Sequence, residues 1–245
     1  MWNSICLMLP TYKRTDKLLP KFISSSIITA DDKTNLKYAF CINQNDLQTK
    51  KFLENYPFPN KKNVLIIKEN LPKPHLGVYF NMLYREVVKT FGKDIVVTMM
   101  GDDMEFLTKG WDTKILEKIN EKNGIGVFWC NDDYIGKDKT PINLQVTPKM
   151  VELTEAPFMD ETYPADMIDV IWGEIGKSLN IAYYSDDIII RHNHSMKLPH
   201  NKWDETFRRL KEQQIVAHHV IGKNKLFEIA KRISERLRKK GVHAL

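Results

Sequence analysis

The sequence has little that would mark it as secreted, membrane-spanning or built on disulfides. Its only three cysteines, Cys6, Cys41 and Cys130, lie far apart, each inside an apolar stretch. An odd count without zinc-ligand spacing excludes a disulfide framework, so they read as buried strand thiols. No apolar run approaches the roughly 20 residues needed to cross a bilayer. Residues 1–10 lack the basic start and long apolar core of a signal peptide, so a cytoplasmic location is expected. Internal repeats and low-complexity linkers are also missing. Through most of the chain there is no excess of charge: of 37 basic and 31 acidic residues, eight and two fall within 221–245, leaving 29 of each in residues 1–220. Basic character therefore belongs to one terminal element.

What remains is globular composition, 42% hydrophobic and 28% charged, which excludes disorder. The first half alternates short apolar runs with helical patterns. Strands are expected at Ile5–Leu9, Tyr38–Ile42, Val64–Ile67 and Asp94–Met100. Helices are expected at about Thr15–Ile28, with Thr15 or Asp16 as cap, and at about Leu76–Thr90, with a short one after Asp46. Continuous apolar strands separated by helices indicate an α/β fold with a mostly parallel sheet covered on both faces. Ile125–Cys130 reads as a further strand, and residues 131–164 resist assignment. A helix is expected at Asp166–Leu179, a strand or strand pair at Tyr183–Arg191, and helix from about Asp204 onward. Leu226, Ile229, Ile233 and Leu237 form an apolar stripe through the basic tail. The expected organisation is one domain, 1–203, with a helical extension, 204–245, packed on it.

In open parallel sheets ligands bind beyond the carboxyl ends of the strands. Four polar features fall at such ends: Pro10-Thr11, Asn43 to Asp46, Gly101-Asp102-Asp103 and His192-Asn193-His194. Two adjacent carboxylates after an apolar strand repel each other and are costly to desolvate unless a cation or water neutralises them. Hard oxygen ligands favour Mg2+ or Mn2+, which also bind phosphate oxygens, and Gly101 suggests a tight turn. A solvated turn would show the same three residues. His192 and His194 point the same way in an extended segment, and imidazole suits Mn2+; two solvated loop histidines are the plainer alternative. Asp132-Asp133 and Asp186-Asp187 are superficially similar pairs, which shows how easily such pairs arise. Asp166 and Asp169 open a helix, where the dipole favours carboxylates and where one could act as general base.

Three segments, in order, resemble GT-A glycosyltransferases, including the family 2 group. LPTYKRTDKL (Leu9–Leu18) resembles their opening strand and nucleotide-binding turn, and MGDDMEFLTKGWD (Met100–Asp112) their DXD-type region. DVIWGEIGKSLNIAYYSDDIIIRHNHS (Asp169–Ser195) resembles the acceptor-side helix and the strand that ends in a metal-binding histidine. The resemblance implies a GT-A, Rossmann-like fold and transfer of a sugar from a nucleoside diphosphate, with a UDP-sugar the expected donor. It implies that Pro10, Thr11, Arg14 and Asp46 line the nucleotide pocket and that Asp102 hydrogen-bonds the ribose or donor sugar. Asp103 would bind Mn2+ or Mg2+ with His192 or His194, and Asp169, with Asp166 in reserve, would deprotonate the acceptor in an inverting displacement. Asn43-Gln44-Asn45-Asp46 departs from the family's frequent Asp-Asp-Gly-Ser, which leaves the donor base open.

The basic amphipathic tail could follow a phosphate backbone, lie on an anionic membrane, or be solvated while its stripe packs on the domain. The acceptor is read as a hydroxylated base in phage-type DNA, with a cell-surface polysaccharide as the alternative. A sugar nucleotidyltransferase should open with a Gly-rich phosphate loop, and none follows Leu9. A non-catalytic nucleotide- or DNA-binding module would leave Gly101-Asp102-Asp103 without purpose.

Overall fold

The apolar runs form a single eight-stranded sheet flanked by helices. The computed structural model describes residues 1–69, 75–134, 139–161, 168–193 and 225–243. The strands are β1 (Ile5–Thr11), β2 (Leu36–Asn43), β3 (Val64–Glu69), β4 (Val96–Met99), β5 (Met104–Phe106), β6 (Val127–Asn131), β7 (Gln145–Val146) and β8 (Ala182–His192). Their order is β3-β2-β1-β4-β7-β6-β8-β5, with β7 and β5 antiparallel to their neighbours and the remaining pairings parallel. The helices are α1 (Leu18–Thr29), α2 (Leu47–Asn55), α3 (Leu76–Phe91), α4 (Trp111–Glu121), α5 (Pro148–Thr154), α6 (Ile168–Leu179) and α7 (225–239). This is the expected α/β, Rossmann-like architecture, with a mostly parallel sheet between helical layers.

Alternation along each strand explains why the runs are continuously apolar. Ile5, Leu7 and Leu9 of β1 pack with α1 and α4 on one face, while Cys6 and Met8 pack with α3 and α6 on the other. Both faces are buried, so every position needs an apolar side chain. All three cysteines are buried free thiols. Burial pushes the Cys41 and Cys130 thiols up to about 12 and Cys6 higher still.

Several boundaries moved for reasons of tertiary contact. α1 begins at Leu18, and Lys17 at its cap makes no side-chain bond, so neither Thr15 nor Asp16 is the cap. Residues 12–17 turn back instead: Lys13 adopts a left-handed φ of 52° and Leu19 N–H donates to Arg14 O at 3.0 Å. The unassigned stretch 131–164 contains β7 and α5. Pro148 there reads as a breaker but occupies the first turn of α5, where no N–H is needed, and the Thr147 hydroxyl accepts from Met150 N–H at 3.1 Å. Asn143 supplies what that stretch lacks in strand pairing, accepting from Cys130 N–H at 2.7 Å and donating to Cys130 O at 3.1 Å. The Gly-Trp-Asp of the DXD-like segment is a structural bracket. Gly110 takes φ +69°, the Trp111 indole N–H donates to Ser26 O, and Asp112 accepts the Asp31 and Asp32 N–H groups at 2.9 Å each. It ties the end of α1 to the start of α4.

The basic tail packs as its stripe predicts. Leu226, Ile229, Ile233 and Leu237 are buried in the same cluster as α3, α5 and α6. Several of its charges serve the fold. Arg238 donates to Ser178 O near the end of α6 at 2.7 Å, Lys240 to Leu153 O of α5 at 3.0 Å, and Arg236 to Glu155 O just past α5 at 3.2 Å. Cations at helix C-termini complement the dipole and the unsatisfied carbonyls. The exposed face keeps Lys225, Lys231, Arg232 and Lys239, interspersed with Glu228 and Glu235. Among the described residues no helix is long and apolar enough to cross a membrane. Residues 204–224, expected helical, lie outside the described residues.

Two measurements check this packing. Leu237→Ala should cost about 2–4 kcal/mol in denaturant unfolding, against about 0.5 or less for exposed Lys239→Ala. Native protein at about pH 8 should leave all three thiols unreacted with a thiol reagent, since each remains protonated and buried until unfolding.

Candidate active site

The strand order places one crevice where chain connections leave in opposite directions, between β1 and β4, which is where ligands bind in open α/β sheets. β4 turns away early. Met8 O accepts from Met100 N–H, so Pro10, two residues on, faces the same neighbour after that strand has left. Its missing N–H therefore costs no ladder bond. Pro10 and Thr11 thus border the crevice.

Across it the two carboxylates have separate partners. The Thr11 hydroxyl donates to Asp102 Oδ2 at 2.7 Å, and Arg14 Nη1 lies 3.6 Å from Asp102 Oδ1. Asp103 turns the other way, with its Oδ1 3.3 Å from His192 Nε2. Side chains of all four are largely buried, between 11 and 18% exposed for Arg14, Asp102, His192 and Asp103. Gly101 has no unusual φ. Its requirement is spatial, because a Cβ there would stand 2.7 Å from Asp103 Oδ1.

β8 brings His192 to this point. Up to Ser185 it pairs with β6, but its register slips so that Asn131 meets Ile189. Beyond that bulge it pairs with β5, Ile190 opposite Phe106 and His192 opposite Met104. Bulges re-aim strands in this manner. Asn131 bonds Asp186, and Lys118 lies 2.7 Å from Asp187, so this acidic pair belongs to the bulge; Lys118 holds the Asp187 carboxyl below its ordinary range. Asn193 N–H then donates to Asp103 O at 2.9 Å.

Asp46 is placed differently from its neighbours in the crevice. It is 3% exposed, caps α2 by accepting from Thr49 N–H and Oγ1, and accepts Lys13 N–H at 2.8 Å. Its position shapes the turn that carries Thr11 and Arg14. Asp169 lies in the first turn of α6 and accepts from Val170 N–H. The 12 residues of α6 rise about 18 Å. The five of β6 span about 17 Å. Near the far end of α6, Val127 N–H donates to Ile181 O, so the start of α6 lies level with the carboxyl end of β6, on the crevice side of the sheet. Asp166 and His194 lie outside the described residues.

Asp132 was set aside as one of several acidic pairs, yet it stands at the end of β6, almost fully buried, with its carbonyl accepting His192 N–H at 2.8 Å. Its signal was the same as that of Asp103, an acid closing an apolar strand.

The donor set can be tested against a divalent ion. Two cis ligands each about 2.1 Å from an octahedral ion stand about 3.0 Å apart. Asp103 Oδ1 and His192 Nε2, at 3.3 Å, are close to that separation. Among the described residues no group of three or more His, Cys, Asp or Glu side chains forms a metal cage. Asp103 Oδ1 and His192 Nε2 thus form a pair of donors with a spacing that fits neighbouring positions on such an ion.

No protein-family model matches this sequence, and none of the curated proteins does. Solved structures do resemble it. Staphylococcus aureus TarS 1–349 in complex with UDP-GlcNAc aligns at 14% identity and TM-score 0.58, over 98% of this chain and 75% of that one. A Pyrobaculum calidifontis mannosyltransferase in complex with GDP-Man and Mn2+ aligns at 10% identity and TM-score 0.55, over 100% and 77%. A longer TarS chain gives TM-score 0.56, and this chain spans 45% of its length. At such identities the likeness concerns the fold alone, which is consistent with a GT-A, Rossmann-like one.

Gly101→Ala should therefore displace the Asp103 carboxylate while leaving the backbone unstrained. The expected result is a Mn2+ affinity about 10-fold weaker, measured by titration in the presence of nucleotide, with little change in melting temperature.

Proposed function

We propose that this chain is a metal-dependent glycosyltransferase that moves a sugar from a nucleoside diphosphate, a UDP-sugar in the first instance, to an acceptor hydroxyl. The observation that carries the reading is the division of the Gly101-Asp102-Asp103 turn at the β1/β4 crevice. One carboxylate is clasped by Thr11 and Arg14, and the other faces His192 at 3.3 Å. The GT-A-like fold supports it.

Asp103 and His192 would hold Mn2+ or Mg2+, which when bound stabilises the charge that builds on the departing diphosphate. Pro10, Thr11 and Arg14 border the nucleotide, with Arg14 adding positive charge near the phosphates. Asp102, beside Thr11 and Arg14, would hydrogen-bond ribose or sugar hydroxyls. Asp46 supports the turn behind them. On the α6 side Asp169 takes the proton of the acceptor hydroxyl as its oxygen bonds to the anomeric carbon and the bond to the diphosphate oxygen breaks. Attack from the face opposite the leaving group inverts that carbon. His194 and Asp166 remain the alternates for ligand and base.

DNA as acceptor rested on the charge of the tail. Arg236, Arg238 and Lys240 bond helix-terminal carbonyls, which gives those charges a use within the fold. The acceptor is proposed as a hydroxyl reaching the α6 side of the crevice.

Release of nucleoside diphosphate from a panel of nucleotide sugars tests the proposal. Turnover should require Mn2+ or Mg2+ and disappear with a chelator, and Asp103→Ala should lower it by about 100-fold or more. Asp169→Asn should keep donor binding and lose transfer by about 100-fold or more. Absence of turnover and of any nucleotide-induced melting shift would overturn the enzyme reading, and normal transfer by Asp169→Asn would remove that residue as base.

A further inference from the structure

His192 approaches Asp103 on a slender support. β5 is three residues long, and beyond the bulge β8 pairs with β5 at Ile190, Arg191 and His192. A short edge strand has few ladder bonds with which to resist fraying. Asn193 follows at once. Its N–H reaches Asp103 O at 2.9 Å, and its side-chain amide donates to Glu105 Oε2 at 3.4 Å. The same carboxylate oxygen lies 2.8 Å from Lys21 Nζ of α1. Alongside, Phe106 N–H donates to the Ser25 hydroxyl at 3.1 Å, so α1 grips β5 at two neighbouring points.

We propose that Glu105 is a positioning residue: through the chain Lys21–Glu105–Asn193 it fixes the segment carrying His192 against the Asp103 turn. This rests on the metal reading above for its functional meaning, though the clasp itself does not require a metal. Lys21 is 47% and Glu105 18% exposed, so the pair contributes little to global stability. A two-donor site, in contrast, depends closely on where its donors are held, and groups behind metal ligands commonly tune affinity by about 10-fold or more. The clasp should therefore affect metal affinity more than folding.

The full chain with Glu105→Leu, Glu105→Gln and Lys21→Met separates the possibilities. Mn2+ affinity is read from free Mn2+ by electron paramagnetic resonance with UDP present, and UDP affinity with chelator is read by calorimetry. Glu105→Leu should weaken Mn2+ binding about 10-fold while metal-free UDP affinity is unchanged and the melting temperature stays within about 2 °C. Glu105→Gln should recover most of the loss, because its carboxamide oxygen still accepts from Asn193, and Lys21→Met should fall between. Mn2+ affinity in Glu105→Leu equal to wild type would overturn the proposal. So would parallel losses of metal-free UDP binding and melting temperature, which would make Glu105 a general stability residue. If the wild-type chain binds UDP but no Mn2+, the metal reading fails, and Asn193 amide exchange decides the clasp. Faster exchange in Glu105→Leu supports it, and identical exchange overturns it.

Discussion

Two carboxylates on consecutive residues at the end of a buried strand cannot both be left without positive charge or hydrogen bonds nearby. Much of the crevice is arranged around that constraint. The Gly101-Asp102-Asp103 turn sends the two side chains to opposite walls, Asp102 to Thr11 and Arg14 and Asp103 to His192. Gly101 contributes room, since any β-carbon would meet the Asp103 carboxylate. Separation gives two like residues different surroundings, one beside a hydroxyl and a guanidinium and the other beside an imidazole.

The separation depends on elements far apart in sequence. Arg14 reaches Asp102 because residues 12–17 fold back, and that turn is anchored by the buried Asp46 accepting Lys13 N–H. His192 reaches Asp103 because β8 changes partners from β6 to β5 across a bulge. Asp46 and the Asp186-Asp187 bulge thus shape the turn and the strand that border the crevice. A strand that remained in register with β6 would carry no pairing between His192 and Met104.

The tail illustrates that net charge by itself does not name a partner. Its excess of +6 in 25 residues suggested a phosphate backbone or membrane surface. In the fold, the apolar stripe completes the core beside α5 and α6, and three cations cap the carbonyl ends of those helices. Helix C-termini and their unsatisfied carbonyls are intramolecular targets of partial negative charge, and composition cannot distinguish them from external anions.

What the sequence by itself determined is the alternation of apolar strands with amphipathic helices, and hence a covered parallel sheet with its polar residues gathered at strand ends. Those features follow from local periodicity and from the need to bury both sheet faces. It also determined which residue types border the crevice: Thr11, Asp102, Asp103 and His192 were legible because each closes or follows an apolar run, and Arg14 through the resemblance of its segment alone. Only the tertiary structure decided their pairing, the structural use of Asp46 and of Gly110-Trp111-Asp112, the strand and helix within 131–164, and the nearness of Asp132 and Glu105 to His192. Each depends on contacts between segments tens of residues apart, such as Lys13 with Asp46 or Lys21 with Glu105. Hydrogen bonds of that kind are set by where packing brings the backbone, and no periodicity in the chain records them.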